Sequence, residues 1–251
     1  MRDPSMQSSW LQKKLGLVIP TLNEAGNIPT LIDRIQNSLA GVGISYELIV
    51  VDDDSKDGTA EAVRRYAESD PRIRLLVRVG QRGLAGAVIY GWKNTDADLL
   101  GVIDADLQHP PETLPSLLAA VEEGNDIAVA SRYASNGTVG NWNAFRHLVS
   151  RCSTLVTMPL QKKKGVLVKD PLSGFFIVRR SSIEGLDLQP YGFKILLEIL
   201  VKGKIKKAAE IPFQFATRLS GRSKADFKVA LHYFSLLGKL SREAIFGSGH
   251  Q

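Results

Sequence analysis

The sequence predicts an α/β fold, a mostly parallel central sheet with helices on both faces, organised as one large domain. Three observations carry this. Short apolar runs of strand length recur along residues 15–130 and alternate with longer segments whose apolar residues fall at helical spacing. Pro, Gly, Asn and Asp residues punctuate the joins. The chain has 251 residues and is 44% hydrophobic, enough to bury a substantial core. Strand–helix alternation implies parallel strands, because a crossover helix returns the chain to begin the next strand in the same direction.

The elements follow in order. An apolar run at 15–19, closed by Pro20, reads as the first strand. A helix over 24–40 places Ile28, Leu31, Ile32, Ile35 and Leu39 on one face. Residues 46–51 give a strand, 59–68 a helix, 73–77 a strand, 84–93 a helix and 99–103 the fourth strand. Pro110-Pro111 opens a helix running to residue 123, since proline presets the first helical turn, and Gly124-Asn125 ends it before a strand at 127–130. The later part is less regular. Residues 141–160 carry a helical apolar stripe (Trp142, Phe145, Leu148, Val149, Cys152, Leu155, Val156) flanked by Arg146, Arg151 and Lys162-Lys163-Lys164. That pattern suits a core helix backed by a solvated lysine loop, or a basic helix resting on an anionic membrane. A strand at 174–178, a helix at 193–202, a strand at 208–215 and an amphipathic helix at 225–245 complete the chain.

Composition narrows the function classes. One cysteine, Cys152, excludes an internal disulfide and a multi-cysteine zinc site, and suits a reducing, cytoplasmic setting. No segment approaches the roughly 18 to 20 apolar residues that span a bilayer, so the expectation is a soluble or peripheral chain. The net charge of +6 favours anionic partners. Nucleic acid is not expected, because the sequence has no RNP-like aromatic strand, zinc-finger spacing or long basic helix. The basic residues lie mainly after Arg132, facing a more acidic front half.

The chemistry concentrates at strand exits. Asp104-Ala105-Asp106-Leu107-Gln108-His109-Pro110 leaves the fourth strand, and side-chain alternation sends Asp104 and Asp106 to one side and Ala105 to the other. Paired acids so placed suit Mg²⁺ or Mn²⁺, which take oxygen ligands and share them with phosphates; an acidic turn is the plain alternative. Pro20-Thr21-Leu22-Asn23-Glu24 follows the first strand and Asp52-Asp53-Asp54-Ser55 the second. Ligands of such sheets sit beyond the carboxyl ends of the strands, so three acid-bearing strand ends converge on one crevice.

These strings, with Ser131-Arg132-Tyr133, Asp170-Pro171-Leu172-Ser173-Gly174-Phe175-Phe176, Gly192-Phe193-Lys194-Ile195-Leu196-Leu197-Glu198, Arg218 and Ser223-Lys224, resemble the family 2 glycosyltransferases. The resemblance runs in motif order from residue 15 to about 240 and is strongest to the polyprenol (dolichol) phosphate mannose synthase branch. It implies a GT-A-type nucleotide-sugar-binding fold, with a catalytic domain over 15–224, a flexible segment at 1–14 and a membrane-proximal helix and tail at 225–251. By that similarity Pro20, Leu22, Glu24, Val51 and Asp53 line the nucleoside pocket, Asp53 accepting hydrogen bonds from the base. Guanine offers a carboxylate two N–H groups and uracil one. Asp104, Asp106 and Gln108 would hold the cation, with Ala105 beside the donor. Arg132, Arg146, Arg218 and Lys224 would surround the phosphates, and Asp104, Asp106, Arg132 and Lys224 would be catalytic.

The implied reaction is metal-dependent, inverting transfer of mannose from GDP-mannose to a polyprenyl phosphate at the cytoplasmic face of a membrane, with small membrane subunits as further partners. A UDP-sugar donor such as UDP-glucose is the alternative. A phosphate acceptor is already ionised and needs no general base; a hydroxyl acceptor would need one, with Asp170 or Glu198 as candidates. Two other classes are weaker. A nucleotide-dependent dehydrogenase lacks its fingerprint, since Gly83-Leu84-Ala85-Gly86 is not Gly-x-Gly-x-x-Gly. A non-catalytic nucleotide-sensing or membrane-associated module would keep its role after Asp106→Ala.

Overall fold

The computed structural model describes residues 13–134, 158, 161, 165–189 and 195–214. Its first part alternates strand and helix: β1 (Lys14–Thr21), α1 (Ile28–Leu39), β2 (Ser45–Asp52), α2 (Thr59–Ser69), β3 (Ile73–Val77), α3 (Leu84–Lys93), β4 (Leu99–Ile103). A 3₁₀ turn (Pro111–Thr113) leads into α4 (Leu114–Glu122) and β5 (Ile127–Ser131); β6 (Phe175–Arg179), α5 (Ile195–Lys202) and β7 (Ala208–Pro212) follow. The seven strands form one sheet in the order β3-β2-β1-β4-β6-β5-β7. Only β6 runs against its neighbours, antiparallel to β4 and to β5.

Alternation along the strands sorts the core into two layers. Leu15, Leu17 and Ile19 of β1 face α1, α2 and α4 with Leu48 and Val50 of β2, while Val18, Ile49 and Val51 face α3 and α5. Being buried on both faces, β1 and β2 read as near-continuous apolar runs. α3 lies unusually close to the sheet because Gly91 brings no side chain: a Cβ there would stand 2.6 Å from Val18 Cγ2 and 3.1 Å from Val51 Cγ2.

Several boundaries differ from the sequence expectation; β7, expected over 208–215, ends at Pro212. β1 runs through Pro20 to Thr21. Its pairing to β4 ends at Val18, so Pro20 has β2 alone as a strand neighbour, an edge-like position where a missing N–H is tolerated. α1 begins at Ile28 and not at 24, because Glu24 to Asn27 form a turn whose carbonyl at Glu24 accepts from the N–H groups of Asn27 (2.9 Å) and Ile28 (3.0 Å). The segment after Pro110 starts as a 3₁₀ turn before becoming α-helical. The expected helix over 225–245, and all but Met158 of that over 141–160, lie outside the described residues. Among the described residues no helix is long and apolar enough to cross a membrane.

Candidate active site

The adjacent parallel strands β2, β1 and β4 end on one edge, and the chain order reverses between β1 and β4. Ligands of doubly wound sheets bind at such a switch point. On the β1/β2 side two loops are laced together. The N–H groups of Asn23, Glu24 and Ala25 donate to Ser55 Oγ (2.7 Å), Thr59 Oγ1 (2.9 Å) and Asp57 Oδ2 (3.0 Å), and Lys56 N–H donates to Asn23 Oδ1 (3.0 Å). Asn23 and Asp54 hold left-handed backbone at φ 56° and 55°, a conformation that short polar residues tolerate.

The three acids at the end of β2 have separate tasks. Asp52 is buried and pins the turn, accepting from Thr21 Oγ1 (2.8 Å), Ser55 N–H (2.8 Å) and Ser55 Oγ (2.5 Å). Asp54 pairs at the surface with Lys56. Asp53 lies buried against Arg78: Oδ1 accepts from Arg78 Nε (2.8 Å) and stands 2.7 Å from Arg78 Nη2, while Oδ2 accepts from the N–H of Gly83 (2.8 Å). Arg82 Nη1 donates to the Asp53 carbonyl. Asp53 thus clamps the β3–α3 loop, and Arg78 is a site residue that sequence reasoning missed. Pro20, Leu22 and Glu24 are partly exposed along this edge. Val51 is different: its side chain is wholly buried between the sheet and α3, so it offers the crevice only backbone.

On the other side β4 stops at Ile103, and alternation persists into the turn beyond it. Asp104, Asp106 and Gln108 are partly exposed, whereas Ala105, Leu107 and His109 are buried. The turn closes with Gln108 N–H donating to Asp106 Oδ1 (3.1 Å) and Leu107 at φ 60°. His109 packs its ring against Phe175 and Phe213, its Nδ1 4.0 Å from Asp104 Oδ2. Farther on, Glu112 takes a bidentate pair from Arg34 of α1 (2.8 and 2.7 Å), which holds the Glu112 carboxyl below its ordinary pKa. Two carboxylates and an amide oxygen are hard donors suited to Mg²⁺ or Mn²⁺. Among the described residues no three His, Cys, Asp or Glu side chains group closely enough to cage a metal. With two carboxylates and one amide oxygen on the exposed side of the turn, the donor chemistry fits an ion that would take its remaining ligands from substrate oxygens and water.

Arg132 follows β5 and is held by Asp170, whose side chain is fully buried. Its backbone N–H and Nε donate to Asp170 Oδ2 (3.0 and 2.8 Å) and its Nη2 to Oδ1 (2.6 Å). Burial works against the Arg132 charge, but the Asp170 carboxylate outweighs it and, helped by Tyr133 and Asp104, raises the guanidinium pKa above its usual value. The sequence offered Asp170 and Glu198 as bases for a hydroxyl acceptor, and the structure corrects this. Asp170 is spent on Arg132, and Glu198 is buried, accepting from Gln189 N–H (3.1 Å) and Lys202 Nζ (2.8 Å). Arg146, Arg218 and Lys224 lie outside the described residues.

A match to glycosyl transferase family 2 covers residues 17–186, from β1 past β6 and through every strand end just described. The chain belongs to glycosyl transferase family 2. It is 43% identical over 230 residues to a protein named dolichol-phosphate mannosyltransferase from Pyrococcus furiosus, an alignment covering 91% of this chain and 64% of that one. This family 2 glycosyltransferase is also 33% identical to proteins of the same name from Mycosarcoma maydis (96% of this chain, 85% of the relative) and Saccharomyces cerevisiae (89% and 85%). It thus spans less than two thirds of the archaeal relative's length. Its fold matches crystal structures of glucosyl-3-phosphoglycerate synthase from Mycobacterium tuberculosis. One of these, in complex with Mn²⁺, UDP-glucose and phosphoglyceric acid, superposes with a TM-score of 0.67 at 20% identity, covering 95% of this chain and 86% of that chain. Another, with UDP, gives 0.66 at 22%, covering 95% and 85%.

Proposed function

We propose that this glycosyltransferase transfers mannose from GDP-mannose to a polyprenyl phosphate of the dolichyl type, inverting C1 and using Mg²⁺ or Mn²⁺ at Asp104, Asp106 and Gln108. The observation that supports this is the shared name of relatives from an archaeon and two fungi, each aligned over nearly the whole of this chain.

The geometry accommodates each step. The β1/β2 ledge with Pro20, Leu22 and Glu24 receives the nucleoside, Asp53 shaping it from beneath by holding Arg78 and Gly83 instead of meeting the base directly, and the acids beyond β4 receive the diphosphate end. Asp104, Asp106 and Gln108 would hold the divalent ion, whose charge would offset that developing on the departing diphosphate. By the family resemblance, Arg132, Arg146, Arg218 and Lys224 would supply the positive charge for the phosphates of donor and acceptor; of these, Arg132 is the one the structure describes. The acceptor phosphate attacks C1 without giving up a proton, so an α-linked donor yields a β-linked polyprenyl phosphate mannose. That neither Asp170 nor Glu198 is available as a base agrees with such an acceptor. On the same reading the reaction takes place at the cytoplasmic face of a membrane, with small membrane subunits as further partners.

The test is a donor and acceptor matrix. The purified 251-residue chain is incubated with Mn²⁺, a polyprenyl phosphate and either GDP-mannose or UDP-glucose, and the lipid phase is analysed. A β-mannosyl phosphate product from GDP-mannose alone supports the assignment; transfer from UDP-glucose without transfer from GDP-mannose overturns it.

A further inference from the structure

The turn that precedes β6 touches both charged halves of the site, although it belongs to neither strand end that forms the crevice. Its placement follows from register. β6 pairs antiparallel with β4, with Ile103 opposite Phe175, so one further step sets Asp104 opposite Gly174. The approach there is very close. A Cβ on Gly174 would stand 2.0 Å from Asp104 Oδ2, 2.5 Å from its Cγ and 2.7 Å from its Oδ1. The backbone of Gly174 lies outside the positive-φ region, so its need for glycine is steric and not conformational. Four residues earlier, Asp170 holds the backbone and guanidinium of Arg132 through three N–H groups. Between them the turn is closed by Ser173, whose N–H donates to the Asp170 carbonyl (3.2 Å) and whose Oγ accepts from Phe175 N–H (3.2 Å). Ser173 is buried.

We infer that the Asp170–Gly174 turn is a positioning element: Gly174 leaves the space in which the Asp104 carboxylate sits, and Asp170 sets the plane of Arg132. A single rigid turn thereby fixes the cation side of the crevice relative to the guanidinium side. The inference rests on the proposed metal role of Asp104 for its functional consequence, whereas its steric part stands alone.

The steric part is tested by a thermal-unfolding cycle on the full chain without metal. Gly174→Ala lowers the melting temperature in the wild-type background and lowers it far less in an Asp104→Ala background, where the colliding carboxylate is gone. An equal drop in both backgrounds overturns the inference. The functional part is read by Mn²⁺ binding, followed by electron paramagnetic resonance. Misorienting a metal ligand weakens metal affinity about 10- to 100-fold, and that loss is expected for Gly174→Ala, whose methyl displaces the Asp104 carboxylate. An unchanged Mn²⁺ affinity in this variant overturns the inference; a wild-type chain that binds no Mn²⁺ overturns the metal reading instead and leaves the unfolding cycle to decide the steric claim. Asp170→Asn should raise KM for polyprenyl phosphate while leaving Mn²⁺ affinity at the wild-type value. Parallel loss of both would mark a merely structural residue and contradict the division of roles.

Discussion

Replacing Arg78 by Met tests whether Asp53 is the clamp of the β3–α3 loop. The side chains of Arg78 and Asp53 are only 5% and 6% exposed, so removing the guanidinium strands a carboxylate where water cannot replace it. Asp53 has N–H contacts from Arg78 Nε and Nη2 and from Gly83, and the variant keeps the last alone. Arg78 Nη2 also donates to the Gly83 carbonyl (2.9 Å), a bond lost with it. Breaking a buried pair from one side costs about 3–5 kcal/mol. At about 2–4 °C per kcal/mol for a chain of this size, the melting temperature should fall by about 6–20 °C. Calorimetry at pH 7 measures this directly. The companion variant Asp53→Leu/Arg78→Met removes both charges and should be clearly more stable than Arg78→Met alone. A loss below about 1 kcal/mol for Arg78→Met would refute the reasoning, as would a double variant no more stable than that single one.

Three further outcomes are expected. Asp106→Ala should reduce mannosyl transfer by at least about 10²- to 10³-fold, the scale of losing a group that stabilises developing charge, while unfolding midpoints change little because its side chain is partly exposed. Arg72 beside Asp70 lowers the Asp70 pKa to about 2, against about 3.9 in an unfolded chain. The stability Asp70 contributes is therefore complete above pH about 5 and is lost as pH falls from about 4 towards 2. The gap between wild type and Asp70→Asn in urea midpoint should narrow over that window and stay constant above it. Arg34→Ala should cost under about 1 kcal/mol despite its bidentate geometry, since Arg34 and Glu112 are 34% and 57% exposed; urea unfolding measures this.

Much of the fold was legible because its first five strands and four helices obey local rules. Periodicity marks β2, α2, β3, α3 and β4 to within a residue or so, and Pro and Gly mark both ends of α4. What local pattern could not give was the place of β6. The strand that enters between β4 and β5 comes from far along the chain and runs the opposite way, and both facts depend on tertiary pairing. The same limit explains the missed residues. Arg78 drew no reading from the sequence, because only the β2–β3 register, which pairs Asp52 with Val77, brings the next residues of each strand together. His109 carries no visible role in its string, because nothing nearby in sequence shows Phe175 and Phe213 closing over it. Gly174 stood inside a recognised string without a role until the antiparallel register set it against Asp104. The acid pair beyond β4 was legible because strand alternation is local, and the burial pattern from Asp104 to His109 follows it.

The central claim, that the acids beyond β4 act through a divalent ion on the departing diphosphate, is tested most directly by the rate of mannose transfer to polyprenyl phosphate after chelation and on adding back Mn²⁺. The account predicts transfer at background level in chelator and recovery that saturates with Mn²⁺. Transfer at the full rate in excess chelator would contradict it.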